Sequence, residues 1–278
     1  MLCAPVAARA GEAPKPGRVV SAFLCTDEYV FRLVPRNRIA ALSYLAADTH
    51  PVVSTIANEA RGIPGVRASA EQVLAMHPDL VVTYENTNAR QTQLLRRAGV
   101  DVLEVPWAQS LNDIRRITRM LGNRLGARVR AEALIRHMDS ELAKARAVAP
   151  RPPVRTLVYE PNGYATVGGV TDEILSAAGL HNIGAGAPLT RSGTLPVETV
   201  LSLAPDLLIF NGEHEQQPAR ADLILRHPAL SALSAGTVIA YTSLVPLLCP
   251  GPWSADVLSP LAQLGRKAQS TSAKPAKP

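Results

Sequence analysis

Aromatic side chains are scarce in this chain: three Phe, six Tyr and two Trp among 278 residues. Each one has few partners of its own kind, so its place carries information. Cysteine is scarcer still, at three, and no C-x-x-C or H-x-x-x-H spacing is present, which removes the compact zinc and redox motifs. No run of about 18 apolar residues exists, so no segment reads as a membrane-spanning helix. The net charge is +6, but it comes from arginines spread over positions 90 to 136 and from a lysine-bearing tail. Without a basic block interleaved with aromatics, a nucleic-acid partner is not expected.

What the chain does have is apolar mass and a repeat. Apolar residues make up 47%, enough for a sizeable core, and the length suits one large domain or two of ordinary size. The stretch Glu71 to Tyr84 (EQVLAMHPDLVVTY) returns at Glu198 to Asn211 (ETVLSLAPDLLIFN). The copies agree at Glu71/Glu198, Val73/Val200, Leu74/Leu201, Pro78/Pro205, Asp79/Asp206 and Leu80/Leu207. They lie 127 positions apart, too far for a solenoid unit, so the repeat implies two similar lobes. Each copy reads as a short helix with Glu in its first turn. A proline stops the helix, because it lacks an N–H and disfavours helix in the residue before it. An all-apolar run follows, the pattern of a parallel strand buried on both faces.

The rest of the chain fits that plan. Residues 18–108 alternate strand and helix, with strands predicted over 18–22, 38–43 and 100–105 and a helix start at Thr26-Asp27-Glu28 capped by the threonine. Residues 109–150 are helical, and 127–148 would form a rod roughly 33 Å long. Residues 151–268 repeat the α/β pattern, with a second capped start at Thr171-Asp172-Glu173. Residues 269–278 are polar and proline-bearing and are expected to be disordered. At the other end, Ala8-Arg9-Ala10 has the small-residue pattern of a signal-peptidase site behind a stretch too short for a full hydrophobic region. Residues 1–17 therefore read as a clipped leader or disordered start. Cys3 would leave with it, so that Cys25 and Cys249 remain.

These features resemble the solute-binding proteins of cobalamin and ferric-siderophore importers, a class with a long helix between two α/β lobes. The carriers are RVVSAFLCTDEYVF near the start, both E…L…PDL motifs, the rod at 127–148, and GGVTDEILSAAGLHNIG in the second lobe. The resemblance covers residues 18 to 266. It implies an α/β fold of two parallel-sheet lobes joined by a single long α-helix, as in class III periplasmic binding proteins. It implies a monomer in the periplasm that captures a metal chelate (a ferric siderophore, a corrinoid or haem) as cargo, with no intrinsic cofactor. The cargo would pass to the permease dimer of an ABC importer. In that family one glutamate per lobe docks into arginine pockets on the permease; by position these are Glu71 and Glu198. A carboxylate–guanidinium pair fixes orientation because it can be bidentate.

Ligands of open α/β sheets bind beyond the carboxyl ends of the strands. The candidate cleft residues are therefore Cys25, Thr26, Tyr44, His50, Tyr84, Trp107, Asn162, Tyr164, Arg191, Asn211, Cys249 and Trp253. Tyr84, Trp107, Tyr164 and Trp253 offer flat faces that suit a corrin, a haem or a catecholate chelate. The resemblance leads one to expect an aromatic six residues before each docking Glu; Gly65 and Ser192 stand there instead, with Arg67 and Arg191 nearby. That departure favours an anionic chelate over cobalamin. Cys25 and Cys249 leave three readings open: free buried thiols, a cross-lobe disulfide, or ligands to a soft metal joined by His50 and His214. Two rival functions accompany the favoured one. One is an enzyme with Cys25 as nucleophile activated by His50 or His214, although no complete nucleophile–base–orienter set is visible. The other is a cytoplasmic cofactor-biosynthesis protein built around a metal cluster, which would want more cysteines.

Overall fold

The computed structural model describes residues 15–49, 52–67, 69–186, 189–211, 220–233 and 236–272. The expected leader site, His50, His214 and the last six residues lie outside them. The first lobe runs β1 (Val19–Ser21), α1 (Leu24–Leu33), β2 (Ile39–Ser43), β3 (Gly65–Val66), α2 (Ala70–Leu74), β4 (Leu80–Tyr84), α3 (Ala89–Arg97) and β5 (Asp101–Val105). Then come α4 (Leu111–Arg124) and α5 (Arg128–Val148). The second lobe contains β6 (Val154–Tyr159), β7 (Tyr164–Ala165), α6 (Gly169–Ala177), β8 (Leu180–Asn182), β9 (Gly193–Thr194), α7 (Val197–Leu203) and β10 (Leu207–Asn211). It continues through α8 (Pro228–Ala232), β11 (Val238–Thr242), α9 (Val245–Leu248) and α10 (Leu258–Ser272).

Each lobe is built on a parallel sheet. The first has the order β3-β2-β1-β4-β5 and the second β11-β10-β6-β8. From β2 to β5 and from β8 to β11 the orders correspond, so the repeated strands β4 and β10 occupy equivalent central places. All five residues of β4 are buried, as an apolar run between helical layers must be. The repeat also extends to backbone geometry. His77 and Ala204, each just before the shared proline, both adopt left-handed φ values of 48° and 43°. Proline closes off the right-handed helical region for the residue ahead of it, and both copies use the same uncommon exit.

The connector contains the expected long helix. α5 is long, 21 residues or about 32 Å, but it is paired with α4 in an antiparallel hairpin joined by residues 125–127. Arg115–Asp139 at 2.5 Å and Arg119–Glu132 at 2.7 Å zip the two together. The apolar stripe explains the pairing. Leu111, Ile114, Met138 and Leu142 enter the second lobe's core, while Ile117, Leu121, Leu125 and Ala131 enter the first lobe's. Each helix thus gives one end to each lobe.

Three corrections concern boundaries. α1 begins at Leu24 behind Phe23, so Thr26 is not its cap; its hydroxyl instead donates to the Phe23 carbonyl at 2.8 Å. α6 likewise begins at Gly169, behind Gly168. α10 runs on to Ser272, through part of the stretch expected to be disordered, because Ala268 is fully buried and Gln269 donates to the Arg151 carbonyl at 3.0 Å.

Candidate functional site

β1, β4 and β5 end side by side, and the residues just beyond them build an aromatic step. Tyr84 closes β4 and is almost wholly buried. Trp107 lies over it at 4.3 Å between centroids, with 26° between the planes. Phe23 meets both rings edge-on, at 5.5 Å and 5.8 Å. Contacts of this kind contribute about 0.5–1.5 kcal/mol each beyond area burial. The indole N–H of Trp107 points at the Glu85 carbonyl, 3.4 Å away. The Tyr84 hydroxyl is pushed well above the ordinary range by burial. Trp107 itself is 43% exposed, so a flat face is held toward solvent on a rigid base. The sequence reading missed Phe23; its place directly after a strand end was the available signal.

A pocket of about 430 Å³ opens between the lobes, within the range of small-molecule sites. Thr49, Ser54, Thr55, Asn58 and Arg61 line it from the first lobe, and Ser243, Val245 and Pro246 from the second. Among the described residues of the lining, Arg61 is the charged one, and the remaining polar groups are hydroxyls and an amide.

Several expected cleft residues belong instead to the core. Cys25 and Cys249 form a disulfide, with 4.8 Å between their Cα atoms. Of the three readings this selects the cross-lobe bond, and it leaves neither sulfur as a nucleophile or a metal ligand. Thr26 is fully buried and pairs with the Ser21 hydroxyl at 2.7 Å. Trp253 is buried too: its N–H donates to the Cys249 carbonyl at 2.8 Å, and its ring meets Tyr29 edge-on at 4.7 Å. The physical reason is that residues 249–253 leave the second lobe and pack in the first lobe's core. Among the described residues, no group of three or more His, Cys, Asp or Glu could hold a metal ion.

Tyr44, Asn162, Tyr164 and Arg191 stay at the surface. Tyr44 is 46% exposed and Tyr164 40%; Arg191 is exposed as well. Asn162 takes a left-handed φ of 59° in the turn before β7, and Asn211 closes β10. The departures at 65 and 192 have local causes. A side chain on Gly65 would begin 3.2 Å from the Tyr44 backbone, and the Arg67 guanidinium covers the Tyr44 ring at 4.3 Å. Ser192 accepts from the Val167 N–H at 2.9 Å.

Glu71 and Glu198 are each the second residue of their helix, α2 and α7, and both are exposed. The Ser69 hydroxyl donates to the Glu71 carboxylate at 2.6 Å. That bond, aided by the helix's first backbone N–H groups, holds the Glu71 pKa below the usual carboxylate value. It therefore carries full charge at neutral pH.

A second pair of motifs went unaligned in the sequence: Thr26-Asp27-Glu28 and Thr171-Asp172-Glu173. Asp27 accepts from the Ser43 N–H at 2.9 Å, and Ser43 ends β2. Asp172 accepts from the Asn182 amide at 2.6 Å and the Gly168 N–H at 2.8 Å, and Asn182 ends β8, the equivalent strand. In both lobes, then, an aspartate ties a helix start to the end of the next strand. The glutamates also have matching duties across elements: Glu28 accepts from Thr55 N–H at 2.7 Å, and Glu173 from Leu111 N–H at 2.8 Å.

Two parallel-sheet lobes, a helical strut, a cleft at the strand ends and an exposed carboxylate at matched places on each lobe define a solute-binding protein of the two-lobed, helix-bridged class. The chain belongs to the periplasmic binding protein family, whose sequence profile matches residues 58–242. It is similar to an uncharacterised ABC transporter substrate-binding lipoprotein of Bacillus subtilis, 25% identical over 207 residues, which cover 70% of this chain and 63% of that protein. It is also similar to a cobalamin-binding protein of Halobacterium salinarum, 26% identical over 235 residues, which cover 81% of this chain. The match spans 63% of the length of each of these relatives. Among solved structures it is similar to the apo form of a periplasmic heme-binding protein from Roseiflexus sp. RS-1, with a TM-score of 0.74 and 25% identity, covering 90% of this chain and 98% of that one.

Proposed function

We propose that the protein is the extracytoplasmic solute-binding component of an ABC importer, and that its cargo is a flat metal chelate of the haem, corrinoid or ferric-siderophore class. The observation that carries the reading is the Trp107–Tyr84 stack, an exposed flat face on a buried support at the ends of β4 and β5. A planar macrocycle or catecholate complex fits such a face by dispersion and desolvation. The cargoes after which the relatives are named, cobalamin and heme, are of that shape. Glu71 and Glu198 would dock the loaded protein on the permease dimer, one contact per lobe. The disulfide supports an oxidising compartment, where such bonds persist.

The chain has two tryptophans, and Trp253→Phe leaves Trp107 as the only one. Titrating that variant with haem, cyanocobalamin and a ferric catecholate should quench Trp107 fluorescence saturably with at least one of them, without chemical change to the compound. In the otherwise native protein, Trp107→Ala should weaken the same binding about tenfold, since stacking of this kind is worth about 0.5–1.5 kcal/mol beyond the apolar area it buries. Absence of quenching by all three compounds would contradict the metal-chelate assignment.

A further inference from the structure

Cys25, Glu28, Tyr29 and Arg32 stand on one face of α1, spaced by three, four and seven residues. Each reaches a wall of the inter-lobe pocket or the segment that supports it. On the side of the second lobe, Cys25 is bonded to Cys249. Tyr29 meets Trp253 edge-on at 4.7 Å, and its hydroxyl lies 3.5 Å from the Pro250 carbonyl. That segment is fastened to the pocket lining by Ser254, whose hydroxyl donates to the Pro246 carbonyl at 2.8 Å. On the side of the first lobe, Glu28 accepts from the Ser54 hydroxyl at 2.8 Å, the Thr55 N–H at 2.7 Å and the Thr55 hydroxyl at 2.5 Å. Ser54, Thr55 and Pro246 all line the pocket.

Arg32 touches both sides at once. Its guanidinium donates to Glu28 at 2.5 Å and to the Thr55 hydroxyl at 2.7 Å, while its flat face covers the Trp253 ring at 4.6 Å. A planar, delocalised cation can bridge and stack together; an ammonium cannot.

We propose that α1 is a clasp that sets the width of the inter-lobe pocket before cargo arrives, with Arg32 as the positioning residue. The inference rests on the proposed function and on this pocket, which Trp107 does not line, being part of the same cargo cleft. A pocket whose two walls hang on one helix needs no rearrangement to form, so cargo binding does not have to offset an ordering cost. The disulfide makes one half of the attachment covalent, and the pair of buried Glu28 with half-buried Arg32 makes the other half directional.

Hydrogen exchange read by mass spectrometry on the whole, cargo-free protein tests this. The chains compared are the native one, Arg32→Lys with the disulfide intact, and Cys25→Ser with Cys249→Ser. The clasp predicts that residues 52–58 and 244–251 exchange at least tenfold faster in both variants, and that they do so together, while β4 and β10 keep native protection. Acceleration of one segment without the other, or of neither, overturns the proposal, since local staples would behave that way. If β4 and β10 also lose protection in the double serine variant, Arg32→Lys decides on the same criterion. Because no cargo is present, this outcome is independent of the Trp107 titration that tests the binding reading itself.

Discussion

Asp27 is a carboxyl kept fully out of water, and burial pushes its pKa from 3.8 to about 7, against the lowering effect of hydrogen bonds from Ser21 and Ser43. The linkage follows from that direction. Folded protein holds the proton between about pH 4 and 7 while unfolded chain has lost it, so the folded state binds more protons there. The stabilisation from neutral Asp27 is complete below the unfolded value and is lost as pH rises to about 7. Asp27→Asn reproduces the neutral acid's shape and donor. Denaturation from pH 4 to 7.5 should therefore show wild type losing stability relative to the variant, by roughly 2–4 kcal/mol across the window. A constant difference between the two would show that Asp27 is ionised throughout. At this scale the sequence was partly misleading. Thr26, Asp27 and Glu28 have the composition of an exposed helix cap, and only the packing of α1 against β2 and residues 54–55 makes them interior. The same holds for Trp253: its ring is claimed by Tyr29 and Arg32, more than 200 positions away, and no local pattern announces a contact so distant.

The elements were more legible, because their signals are local. α2 stops at Leu74, ahead of Pro78, and α7 at Leu203, ahead of Pro205; the apolar runs after these prolines are the central strands, and Gly99 and Gly179, with left-handed φ of 82° and 77°, close α3 and α6. The long α5 was legible from its stripe. Its partnership with α4 was not, since a stripe shows that a face is covered without naming what covers it. Gly122 lies against α5: a Cβ there would sit 2.5 Å from the Ala131 side chain. Gly122→Val should force the hairpin apart and cost about 1–3 kcal/mol in chemical denaturation, as overpacking does. A variant as stable as the native chain would mean that the pair is not tightly packed at this point. Because α4 and α5 each end in both cores, the same variant should also loosen the lobes relative to one another.

At the scale of the molecule, three segments among the described residues cross between the lobes: α4, α5 and residues 249–257, the last held by the disulfide. Crossings of this kind resist hinge bending, so X-ray scattering curves with and without a bound chelate should nearly superimpose; a marked change in radius of gyration would contradict a stiff frame. The two-lobed plan was readable from one fourteen-residue repeat, and the paired glutamates with it, because both depend on residues recurring at a fixed offset. The cargo was not readable, since a flat aromatic face admits several chelates. In the proposed function capture belongs to the cleft and delivery to the two exposed carboxylates, so the two are separable. The decisive measurement is therefore made on one protein in two assays: Glu71→Arg with Glu198→Arg, scored for chelate affinity in solution and for uptake in cells carrying the cognate importer. The account predicts native affinity with uptake abolished. Uptake at the native rate, or affinity lost along with it, would contradict the account.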